Sequence, residues 1–167
     1  RAPWLFASWI GGIMAMVIIG SFEHELTKVI ALASFIPIVM GMGGNIATQS
    51  STIIVRGIAT GRVNMNELFK VIFKEFKVGL LLGCVYGIFL GVVSFFLHQD
   101  PTLLGVVVGL WIFFIMAMSA TLGTIIPLVL KRFGFDAAIA TGPFVTTAID
   151  IIGVMMYFYT AKLILGL

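Results

Sequence analysis

The stretch VGLLLGCVYGIFLGVVSFFL, Val78–Leu97, runs for 20 residues without a charged side chain. As an α-helix it covers about 30 Å, the thickness of a bilayer's hydrocarbon core. Four more stretches of the same kind flank it. Residues 2–22, 29–55 and 101–130 carry no charge, and residues 137–163 carry only Asp150 near the middle and Lys162 at the end. None shows the strict apolar–polar alternation of a barrel strand, so the pattern predicts five transmembrane helices.

Composition points the same way. The 167 residues are 60% hydrophobic and 10% charged, with mean hydropathy +1.17. A soluble domain needs about 25% charged residues to cover its surface. Nucleic-acid binders, disordered segments and disulfide scaffolds are excluded, the last because Cys84 is the single cysteine. Five spans leave little beyond connections, so residues 1–167 read as one transmembrane domain. The first span is too long for a signal peptide and no A-x-A cleavage site follows it. A start at Arg1 rather than Met leads us to expect a piece of a longer protein.

Basic residues set the expected topology. Arg1, Arg56, Arg62, Lys70, Lys74, Lys77, Lys131 and Arg132 fall on one side of the five spans, and Lys28 and Lys162 on the other. The positive-inside rule then puts the N-terminus in the cytoplasm and the C-terminus outside. Between Arg56 and Lys77, apolar Leu68, Val71, Ile72 and Phe76 recur at helical spacing with Lys70, Lys74, Glu75 and Lys77 on the other flank. That pattern predicts an amphipathic helix at the cytoplasmic interface, leading into the third span.

Lipid asks of a helix only apolar side chains and closed backbone hydrogen bonds, so exceptions carry the information. The second span holds Pro37, then Gly41, Gly43, Gly44 and Asn45, then Gln49 to Thr52. Proline removes a backbone donor and the glycines weaken the helix, so a break at membrane depth is expected. Asn45, Gln49 and freed carbonyls then face a hydrated path, or the small residues serve close helix crossing. Both readings stand at this point.

The last span holds the second exception, Gly142–Pro143 followed by Thr146, Thr147 and Asp150. A mid-membrane carboxylate costs about 2.5–3.5 kcal/mol even on the lenient insertion scale. Pro143, Thr146 and Thr147 lie seven, four and three residues before Asp150, on its helical face. Lys162 is twelve residues on, about 18 Å along the axis, too far to pair with it. A cation, a proton or a symmetry mate must neutralise the charge.

Other chemistries fail. His24-Glu25 begins a zinc-protease motif, but Lys28 stands where the second His belongs. No nucleophile elbow, phosphate loop or carboxylate dyad is present, so no enzyme is expected. The nine methionines are scattered as packing residues. Glu23, His24, Glu25, His98 and Asp100 read as solvated loop charges. One carboxylate with hydroxyls and carbonyls is a hard oxygen set, suited to magnesium, calcium or manganese. A two-fold dimer would bring two Asp150 side chains to its axis. Magnesium keeps its waters, so recognition would run through the hydration shell.

Two motifs in order, Pro37-x6-Gly44-Asn45-x3-Gln49-Ser50 with Arg56-Gly57, and Gly142-Pro143-Phe144-x2-Thr147-x2-Asp150, resemble the transmembrane domain of the MgtE family of magnesium channels. The match runs from about Pro3 to the C-terminus. The resemblance implies a homodimer with the pore on its two-fold axis, lined by the second and fifth helices. It implies that Asp150 binds hydrated Mg2+, with Thr146 and Gly142–Pro143 lining the narrow cytoplasmic half. Family members usually carry a cytoplasmic N-terminal domain and a CBS pair, which would precede Arg1. The expectation is therefore a dimeric inner-membrane magnesium channel with Gly44, Asn45, Gln49, Gly142, Pro143, Thr146 and Thr147 along the pore. Mn2+ and Ca2+ remain open as cargo. A proton-coupled secondary metal transporter is the runner-up, and a non-conducting assembly subunit comes third.

Overall fold

An apolar chain in lipid has to close its backbone hydrogen bonds within each segment, and this one does so as helix after helix. The computed structural model describes residues 2–64, 67–97, 101–134, 136 and 142–166. The helices are α1 (Ala2–Ser21), a short α2 (Glu23–Lys28), α3 (Ala31–Ala59), α4 (Leu68–Leu97), α5 (Pro101–Arg132) and α6 (Pro143–Leu165). The last four are long and apolar enough to cross a membrane. The 20-residue α1 lies along α6, with Gly11 against Thr147 and Phe22 stacked on Phe158 at 4.8 Å.

Contacts along the bundle fix the helix directions. Gly43 meets Ser119 and Ala47 meets Gly123, so α3 and α5 run parallel. Tyr157 meets Leu32 and Asp150 meets Gly44, so α6 runs against α3. Gly79 meets Ala117 and Gly91 meets Gly105, so α4 runs against α5. With α1 parallel to α6, the start of α1 and the end of α6 lie at opposite faces of the bundle.

The core sits where α3, α5 and α6 meet. Trp111, Ile112 and Ile115 of α5 are buried there with Leu32, Tyr157 and Phe158. Trp111 meets Tyr157 edge to face at 5.5 Å, and the Tyr157 hydroxyl donates to the Leu32 carbonyl at 3.0 Å. A buried phenol needs such an acceptor, because lipid and protein interior offer no water in exchange. Outside this core, α1 packs on α6 and α4 packs on α5.

The α4–α5 contact is made by backbone rather than side chains. Gly79, Gly83, Gly87 and Gly91 recur every four residues along one face of α4. A β-carbon at Gly83 would stand 2.6 Å from the Phe113 carbonyl oxygen, and one at Gly87 would stand 2.6 Å from that of Gly109. Between apolar helices in lipid, van der Waals contact at close range replaces the hydrophobic drive, and small residues permit it.

The amphipathic segment expected to lead into the third span joins it without interruption, so the helix that carries this span begins at Leu68. Two expectations are corrected. Within α4, Glu75 is buried instead of lying on the lysine flank, because it falls four residues before Gly79 and shares the packed face. The second span is not broken: α3 runs unbroken through Pro37 and the glycines. Pro37 sits on the exposed side, while Gly43 and Gly44 are buried against α5 and α6, so packing holds the weakened segment helical. The last helix begins at Pro143, and the start expected at residue 137 lies outside the described residues, as do Arg1, His98 and Asp100.

Candidate ion-binding cleft

Two breaker residues set the start of α6. Gly142 is its N-cap at φ 133°, a conformation L side chains rarely adopt, and Pro143 follows at the first helical position, where its missing N–H costs nothing. The Gly142 carbonyl accepts from the backbone N–H of Val145 at 3.0 Å and of Thr146 at 3.2 Å. Helical spacing from that fixed start carries Thr146, Thr147 and Asp150 to mid-bundle.

There the two threonines part. Thr146 turns toward α3, where a β-carbon at Gly44 would stand 3.6 Å from its methyl and 3.7 Å from Asp150 Oδ1. Thr147 turns toward α1, and its methyl occupies the place where a side chain at Gly11 would be. Asp150 lies between them on the floor of a cleft of about 170 Å3 between α1 and α3. Ser8, Gly11, Gly12 and Ala15 form its α1 wall, and Met40 of α3, Thr146 and Thr147 complete it. Among the described residues, the Asp150 carboxylate makes no hydrogen bond or ion pair.

Of the residues singled out in the sequence, Thr146, Thr147 and Asp150 line this cleft, and Gly44 packs against Thr146 and Asp150. The Gly44 carbonyl is taken by the Thr48 hydroxyl at 2.9 Å. Asn45 and Gln49 do not line the cleft; they lie on the exposed face of α3. Gly142 marks the N-terminal end of α6, two turns below Asp150.

Sequence reasoning missed two groups. One is the α1 wall, since nothing in Ser8, Gly11 and Gly12 alone says which helix they face. The other is Glu75, 7% exposed, whose carboxylate accepts from the buried Ser50 hydroxyl of α3 at 2.9 Å. A signal for Glu75 existed: its position continues the four-residue register of Gly79 to Gly91 backward by one step. The charges around it do not follow it inward. Lys70 pairs with Glu67 at 3.2 Å in the open, and the Lys77 ammonium lies over the Phe73 ring at 4.6 Å.

The fold and the cleft define a class: a helical protein with four helices fit to cross a membrane and a half-buried ionisable side chain in a cleft among its apolar helices. Comparison with known proteins gives the particular family. Residues 36–160 match the MgtE family, described as divalent cation transporters. The chain is 38% identical to the magnesium transporter MgtE of Bacillus subtilis over 158 residues, covering 95% of this chain and 35% of that protein. It is 36% identical to that of Thermus thermophilus over 165 residues, covering 99% and 36%. Against that of Enterococcus faecalis it is 32% identical over 164 residues, covering 98% and 36%. The chain belongs to the MgtE family of divalent cation transporters. It spans about a third of the length of these relatives.

Proposed function

We propose that this chain is the membrane domain of a magnesium transporter that conducts the ion as a channel through a homodimer. The single observation that carries the reading is Asp150, an acid at mid-bundle in a cleft, with no hydrogen-bond or ion-pair partner among the described residues. A carboxylate there is stabilised by a cation, and a divalent cation is best held by two carboxylates from symmetry-related copies. Magnesium sheds water reluctantly, so the cleft takes it hydrated, with waters between the ion and Asp150. Mn2+ and Ca2+ suit the same oxygen set.

The exposed polar face of α3 supports a dimer whose pore lies on the two-fold axis. Asn45 and Gln49 would be costly against lipid and are suited to a hydrated path shared by two copies. In this reading Gly44, Gly142, Pro143, Thr146 and Thr147 line the narrower half of the route below Asp150. The uneven spread of Lys and Arg supports an N-terminus in the cytoplasm and a C-terminus outside, in a multi-pass inner membrane protein. Regulation is assigned to cytoplasmic domains upstream of Arg1, consistent with the greater length of the relatives.

The test replaces Asp150 in the full chain, reconstituted in vesicles. Asp150→Asn and Asp150→Ala are expected to reduce Mg2+ uptake to that of empty vesicles, with the dimer peak unchanged on size exclusion. Wild-type uptake by Asp150→Ala overturns the reading.

A further inference from the structure

Two adjacent glycines of α1 stand over Asp150 in different ways. Gly11 is filled space: the Thr147 methyl lies where its side chain would be, so the missing carbon lets α1 seat on α6. Gly12, one residue on, is open space. A β-carbon there would meet nothing within 4 Å, yet Gly12 lines the cleft that holds Asp150. Packing therefore explains the first glycine and leaves the second unexplained. In a helix interior glycine costs about 1 kcal/mol relative to alanine. Gly20 and Gly41 are equally open, and what sets Gly12 apart is its place on the wall of the cleft that holds Asp150.

The cleft's size supplies a reason. Its volume of about 170 Å3 leaves room for water beside Asp150. Magnesium gives up the waters of its octahedral shell reluctantly, so an ion held at Asp150 needs that room. We propose that Gly12 is a specificity-determining position: its missing side chain keeps the cleft wide enough for a divalent cation seated on Asp150 with its water shell intact. The inference rests on the reading of Asp150 as the ion site. It adds α1 to the ion path as the wall that sets how much water the ion keeps. A side chain at Gly12 displaces water from the shell, and magnesium tolerates that loss less well than calcium, whose larger shell is flexible.

The experiment uses the full chain in vesicles with Mg2+ and Ca2+ as separate probes. Gly12→Ala and Gly12→Val are compared with Gly20→Val, which adds the same bulk to α1 where a β-carbon also meets nothing within 4 Å. Gly12→Val is expected to lower Mg2+ uptake about tenfold or more, the scale on which one or two carbons discriminate in a fitted site. Gly12→Ala should fall between it and the wild type, and Gly20→Val should transport normally. The Mg2+ to Ca2+ uptake ratio should drop with each carbon added at Gly12. Should Gly12→Val lose the dimer peak, Gly12→Ala and its ratio carry the test. Wild-type uptake in both Gly12 variants, an equal loss for both ions, or an equal loss in Gly20→Val each overturns the proposal. Asp150→Ala separates the two readings. If it abolishes uptake while the Gly12 variants transport normally, only the role of Gly12 fails; if it transports normally, both fail.

Discussion

Two buried serines show how much a single hydroxyl depends on its surroundings. Ser50 donates to Glu75 at 2.9 Å, while the Ser119 hydroxyl, equally buried against Gly43, has no partner among the described residues. Removing Ser50 leaves a carboxylate oxygen unpaired in a low-dielectric interior, which costs about 1–2 kcal/mol; removing an unpaired hydroxyl costs nothing of that kind. Ser50→Ala is therefore expected to lower the thermal midpoint in detergent, and Ser119→Ala to leave it unchanged or raise it. Glu75→Gln, which keeps an acceptor oxygen, should stay closer to the wild type than Glu75→Ala. Equal midpoints for the two serine variants would contradict the assignment. Neither serine's hydrogen bonding was legible in the sequence: Ser50 read as part of the polar cluster of the second span, and nothing singled out Ser119.

Among the elements, α4 depends most on the absence of side chains. Its glycines bring its backbone to that of α5, and only there does a β-carbon meet a neighbour's carbonyl along a whole helix face. Gly87→Leu forces the two helices apart, and overpacking of this sort costs about 1–3 kcal/mol. The thermal midpoint should fall while far-UV circular dichroism holds, since each helix closes its own hydrogen bonds and only their contact is lost. Loss of helical signal in parallel would show instead that α4 needs α5 to remain helical. The contrast within α3 is instructive. Pro37 and three glycines read as a break, yet the helix continues because two of those glycines, Gly43 and Gly44, are the points where α5 and α6 press against it. Local propensity gave the correct warning, and tertiary packing outweighed it.

For the whole molecule, the open question is what covers the exposed face of α3. Asn45 and Gln49 lie on it at mid-bundle, where lipid offers no hydrogen bonds. With the native Cys84, itself exposed on α4, replaced by alanine, Asn45→Cys is expected to form a disulfide-linked dimer under mild oxidation. Phe89→Cys, on the exposed side of α4, should remain monomeric on the same gel. Cross-linking at residue 89 and not at residue 45 would move the dimer contact to α4 and take the proposed axis away from Asp150.

The apolar runs determined by themselves that the chain is helical and membrane-spanning, because a helix in lipid satisfies its hydrogen bonds locally and needs only length and hydropathy. Asp150 was legible for the same reason: a charge in an apolar run is conspicuous wherever the run packs. Which face each helix turns to its neighbours was decided only by the tertiary structure. That is why Glu75 moved from a solvent flank into the interior, Asn45 and Gln49 stayed outside the cleft, and Gly12 of the first helix came to stand over Asp150. Such placements depend on contacts between different helices, 25 positions apart for Ser50 and Glu75 and 125 for Leu32 and Tyr157, and the spacing within any one helix carries no record of them.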